Sequence, residues 1–154
     1  MKLTIHQDLA VHETEIIINC AHVDGRLRHL IELIRQHGFS LTGYQEGKEY
    51  QIPLEQIYFM DSADGKTFLY LEKEVYFCRD TLASLEEKLF HTSFVRISKN
   101  CIINTDYLKS VRPLYNHRLE AFLVNGETQI VTRNYIEVLK NIGNCETQNK
   151  LTEN

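Results

Sequence analysis

The chain has 154 residues, of which 43% are hydrophobic and 25% charged, and its net charge is −4. That length suits one compact domain, or one with a small extension, whose core needs no metal or disulfide staple. No run approaches the roughly 18 apolar residues of a membrane-spanning helix. Taken alone, the acidic total argues against a nucleic-acid partner, because phosphate is bound by Lys and Arg. The charge is unevenly placed, however. Residues 91–145 hold seven Lys and Arg against four Asp and Glu. That excess is either a chance fluctuation of surface charge or a basic patch.

The first residues, MKLTIHQDLAVHE, carry charge early and lack an apolar core, so they do not read as a signal peptide. TEIIINCA (14–21) is rich in β-branched residues and predicts a strand. Asp24 can cap a helix over 24–37, with Leu27, Leu30, Ile31 and Ile34 on one face and Gly38 as its stop. FSLTGYQ (39–45) and KEYQI (48–52) predict a strand pair. IYFMDS (57–62), TFLYLE (67–72) and EVYFCR (74–79) predict three more strands, the first two joined at Asp64-Gly65. A second helix is expected from Thr81 to Phe90, with Leu82, Leu85 and Leu89 inward. FVRIS (94–98), CIIN (101–104), YLKSVR (107–112), RLEAFLV (118–124) and ETQIVT (127–132) complete the strands. Asn125-Gly126 is the strongest turn signal, because both residues tolerate positive φ. A third helix follows Thr132, with Tyr135, Val138, Leu139 and Ile142 on one stripe and Gly143 at its end. The pattern is mainly β with short helices and antiparallel hairpins. Residues 144–154 read as a polar, flexible tail.

Little in this sequence supports catalysis. It lacks G-x-G-x-x-G, the phosphate-binding G-x-x-x-x-G-K-[ST], H-E-x-x-H and G-x-S-x-G. Cys20, Cys78, Cys101 and Cys145 are widely spaced and form no C-x-x-C pair. They read as reduced thiols of an intracellular protein, not as metal ligands, so a cytoplasmic location is expected. Cys101 sits in an apolar run as a small core filler. Asp61 and Asp64 flank a turn and read as turn and cap residues, not as an acid–base pair.

Donors do cluster at predicted turns. Lys99-Asn100 lies between FVRIS and CIIN, Arg133-Asn134 joins a strand to a helix, and Lys66 follows Asp64-Gly65. Arg reads guanine bidentately, Asn reads adenine, and Lys reaches phosphate or guanine. A helix start adds free N–H groups beside Arg133. Taken singly, each is better explained as a solvated turn or cap residue.

Together these pieces resemble the LytTR family of bacterial DNA-binding domains. The resemblance rests on Phe94, Arg96, Ser98-Lys99-Asn100, Ile102-Ile103-Asn104, Asn125-Gly126 and Thr132-Arg133, with IPLEQIYFMDSADGKTFLYL upstream. It covers about residues 52–143. It implies small antiparallel sheets in succession, with loops that enter successive major grooves of double-stranded DNA. By position it carries DNA contact onto Lys66 or Thr67, onto Ser98, Lys99 and Asn100, and onto Arg133; Asn134 joins them as a candidate from its place at the strand–helix join. The family often has His where this chain has Ser98. Arg96, alternating with Val95 and Ile97, either meets a backbone phosphate or is a solvated strand residue. Asn104 is expected to cap the turn at Thr105-Asp106.

Residues 1–51 are too few for a receiver domain. They resemble the α+β extension of short, stand-alone family members, which are often encoded beside a small membrane protein. The wide apolar face of helix 24–37 serves either self-association as a homodimer on paired direct repeats or simple cover for a sheet. The resulting expectation is a sequence-specific transcription regulator without enzymatic activity, cofactor or metal. The alternative is a protein- or ligand-binding sensor module that has lost DNA contact.

Overall fold

The structure, a computed structural model, describes residues 1–11, 15–90 and 92–141, without the side chains of residues 35–38. Helix α1 (Gly25–Gly38) starts where Asp24 accepts the Leu27 N–H at 2.8 Å. Five strands follow: β1 (Ser40–Gln45), β2 (Lys48–Pro53), β3 (Phe59–Ala63), β4 (Lys66–Tyr70) and β5 (Val75–Cys78). Helix α2 (Leu82–Lys88) is capped by Thr81, whose hydroxyl accepts the Ser84 N–H. Then come β6 (Phe94–Ser98), β7 (Cys101–Asn104), β8 (Leu108–Leu114), β9 (Arg118–Leu123) and β10 (Thr128–Val131). A 3-10 turn at Arg133–Tyr135 runs into a closing helix, α3, over 136–141.

The strands form two antiparallel sheets, one of seven in the order β2-β1-β5-β4-β3-β7-β6 and one of three in the order β10-β9-β8. The mainly β architecture with short helices agrees with the reading of the sequence. Hairpin β1–β2, expected within the extension, joins the larger sheet through Tyr44 opposite Phe77, so that sheet runs across residue 52.

The larger sheet is covered on both faces. Leu82 and Leu85 of α2 and its C-cap Leu89 pack on one side with Ile52, Met60, Leu69, Phe94 and Ile102. On the other, Phe59, Ile97, Cys101 and Ile103 meet Ala121, Leu123, Val131 and Leu139 from the smaller sheet and α3. Double cover explains why CIIN is an unbroken apolar run without alternation, since all four of its residues are buried. Edge strand β6 is protected as well. A bulge between Arg96 and Ser98 turns the Ile97 carbonyl out of its ladder. The Thr132 N–H takes it at 2.9 Å, which ties the small sheet to the large one.

Three expectations are corrected. No strand forms over 15–21. Ile16, Ile17 and Ile18 stay exposed, because β-branched residues make a strand only where a ladder partner satisfies their backbone. Asp61 lies within β3, not at a turn, and its side chain is half-buried beside Tyr70 and Cys101. In the last helix Val138 is exposed, and the inward residues are Tyr135, Ile136 and Leu139, because a 3-10 turn precedes α3 and shifts its phase. Ile142, Gly143 and the expected tail lie outside the described residues. Cys101 is the core filler expected, with burial and nearby Asp61 pushing its thiol up to about 12.

Candidate nucleic-acid interface

Register places three turns at one end of the molecule. Asp64 and Gly65 both sit at positive φ and close β3 onto β4, so Lys66 emerges, exposed, at the start of β4. Strand β7 lies beside β3 with Cys101 opposite Asp61, and the Ser62 N–H reaches the Asn100 carbonyl at 2.9 Å. The Lys99-Asn100 turn is therefore fastened next to the β3–β4 turn. Thr132 holds the Ile97 carbonyl, which brings Arg133 and Asn134 beside the same turn. Lys99, Asn100, Arg133 and Asn134 are exposed, and among the described residues their side chains make no hydrogen bond or ion pair.

Ser98 and Arg96 have other work. The Ser98 hydroxyl accepts the Asn100 N–H at 3.2 Å and closes the turn. Arg96 is turned inward, its side chain 16% exposed. Its Nε donates to the Ser98 carbonyl at 3.0 Å and its Nη2 to the Lys99 carbonyl at 2.6 Å. Its Nη1 meets Glu86 of α2 at 2.8 Å. The guanidinium thus spans the turn from behind and anchors it to the helix. Neither alternative for Arg96, phosphate contact or solvated strand residue, describes that arrangement. Thr67 is buried and unavailable to a partner.

Asn104 caps as expected, accepting the Asp106 N–H at 3.1 Å. It also accepts the Ser93 hydroxyl at 2.8 Å and donates to the Ile57 carbonyl at 2.9 Å. Both lone pairs of its carbonyl and one of its two N–H donors are used internally, in a buried position.

Three further cations were not singled out as contacts from the sequence. Arg79 follows β5 as Lys66 precedes β4, so the paired strands place the two at one end. Its guanidinium lies 4.3 Å from the Tyr44 ring centre. The β5–β4 register could have revealed it. Arg118 and Lys140, 22 positions apart in the chain, line a groove with Arg133. Sequence spacing gives no hint of that meeting.

Comparisons with known proteins identify the family and the fold. Residues 47–144 match the model of the LytTr DNA-binding domain. The chain therefore belongs to the LytTR family. It is 28% identical over 95 residues to the sensory transduction protein LytT of Enterococcus faecalis, covering 62% of this chain and 39% of that one. Against LytT of Bacillus cereus it is 30% identical over 91 residues, 59% of this chain and 37% of that one. Against the transcriptional regulatory protein LytR of Staphylococcus aureus it is 26% identical over 95 residues, with shares of 62% and 39%. The chain thus spans under two fifths of the length of these curated relatives. The LytTr DNA-binding domain of a Bacillus cereus response regulator shares the fold, with a TM-score of 0.63 at 20% identity, covering 66% of this chain and 94% of that one.

Proposed function

We propose that this protein is a cytoplasmic, sequence-specific DNA-binding transcription regulator that sets loops into successive major grooves. One observation carries the reading: Lys66, Lys99-Asn100 and Arg133-Asn134 converge at one end on turns fastened to a doubly covered sheet. Donors with free side chains on a stiff support are what base-edge readout needs, since a tip that must first be ordered loses discrimination. Lys66 and Lys99 are assigned mainly to phosphate and Arg133 to a base, with Asn100 and Asn134 beside them. The relatives' printed descriptions as transcriptional and sensory regulators support the same reading.

Self-association on paired repeats belongs to the proposal. Helix α1 buries Leu27 but leaves Leu30 and Leu33 more than a third exposed, an apolar stripe open to a second copy. Sedimentation without DNA tests this part, and a strict monomer at tens of micromolar would refute it.

The central test is selection from a random duplex library at two salt concentrations. The reading expects enrichment of one repeated motif and an affinity that falls steeply with salt. Binding that selects no motif and ignores salt would favour a sensor module without DNA contact.

A further inference from the structure

Beside Arg133 lies a feature the three-turn interface does not use. The end of hairpin β8–β9 and the face of α3 enclose an open groove of about 730 Å³. Arg118, Arg133 and Lys140 line it with His117, and Glu137 is the carboxylate among them. The contrast with other cations nearby is informative. Arg96 is tied to Glu86 and Arg112 to Glu120, whereas Arg118, Arg133 and Lys140 form no ion pair among the described residues. Three uncompensated cations against one carboxylate around a concave surface complement an anion. The groove also continues from Arg133, at the edge of the proposed DNA interface, onto a face that the turns themselves do not reach.

We infer that this groove, through Arg118 and Lys140, seats a phosphodiester of the DNA backbone flanking the base read by Arg133. The inference rests on the DNA-binding reading and extends it to a second, sequence-independent contact surface. Contacts to phosphate fix orientation on the duplex without carrying sequence information. In this arrangement Arg118 and Lys140 hold the strand on one side of the Arg133 step, while the Lys99-Asn100 turn holds it on the other. Glu137 weakens the seat and limits non-specific binding.

The test uses the full chain with its selected duplex and with an unrelated duplex, titrated over a salt series. The Arg118→Ala/Lys140→Ala double variant is expected to lose affinity for both duplexes by the same factor. Its slope of log affinity against log salt should shrink by about 1–2. Glu137→Gln should bind both duplexes more tightly, a gain that damaged folding would not produce. A double variant with the parent's affinity and slope, or a Glu137→Gln variant no tighter than the parent, overturns the groove while leaving the turn interface standing. A parent chain that binds no duplex overturns both.

Discussion

Replacing Arg96 by Ala removes a clamp, not a surface charge, and the size of the effect follows from its three partners. Bonds from a charged donor to shielded acceptors are worth about 1.5–3 kcal/mol each. The Ser98 and Lys99 carbonyls belong to a turn at the surface and can be rehydrated, so about 1 kcal/mol each is the better figure. Glu86 is 47% exposed, which limits that ion pair to under ~1 kcal/mol. Arg96→Ala should therefore lower stability by about 2–3 kcal/mol. Urea unfolding would show it as a lower midpoint with an unchanged slope. Glu86→Ala should cost under ~1 kcal/mol, and Arg96→Lys should recover only part of the loss, because an ammonium cannot span three acceptors in a fixed fork. In DNA titrations the variant should bind more weakly with the parent's salt dependence. A stability within ~0.5 kcal/mol of the parent would refute the clamp. So would a salt slope lower by about 0.9, since that is the signature of a lost phosphate contact.

Arg133→Ala should cost about 1–3 kcal/mol of affinity for the selected site and relax base choice at one position. Lys99→Ala should instead weaken binding evenly across sequences, and both outcomes are read by competition against mismatched duplexes. Asp61 makes a pH prediction. Burial raises its carboxyl above the usual 3.8, against a weaker opposing pull from the Tyr70 hydroxyl, and its Oδ1 has no hydrogen-bond partner among the described residues. The folded state therefore holds this proton more tightly than the unfolded state. Stability falls as pH rises from the unfolded value toward the raised folded one. Asp61→Asn should be more stable than the parent by about 1 kcal/mol at neutral pH. Denaturant titrations should show that gap closing as the pH drops below the ordinary carboxylate range. Finally, a Cβ added at Gly43 would stand 2.8 Å from the Tyr76 Cβ and collide with the Ile52 Cδ1. Gly43→Ala should therefore lower the unfolding midpoint by the equivalent of about 1–3 kcal/mol, through overpacking where β1 lies between β2 and β5.

The sequence by itself determined what depends on near neighbours. Asp24 and Thr81 cap their helices because a short oxygen side chain reaches an N–H three residues on, wherever the helix lies. Asp64-Gly65 closes β3 onto β4 because both residues accept positive φ. The Ser98-to-Asn100 tip and the Asn104 cap were legible for the same local reason. Only tertiary structure decided which strands found partners. Residues 15–21 have the composition of a strand but no ladder, whereas CIIN is buried on both faces because separate parts of the chain cover it. Alternation set Arg96 apart from Val95 and Ile97, and two of its partners, the Ser98 and Lys99 carbonyls, are near in the chain, but the third, Glu86, stands on a helix that only the fold brings there. Arg118 and Lys140 meet Arg133 only because β10 docks on the β6 bulge and carries α3 to the β8–β9 hairpin. Caps and turns are set by a few adjacent dihedral angles. A clamp or a groove exists only once distant segments have buried enough apolar surface to hold their polar groups in place.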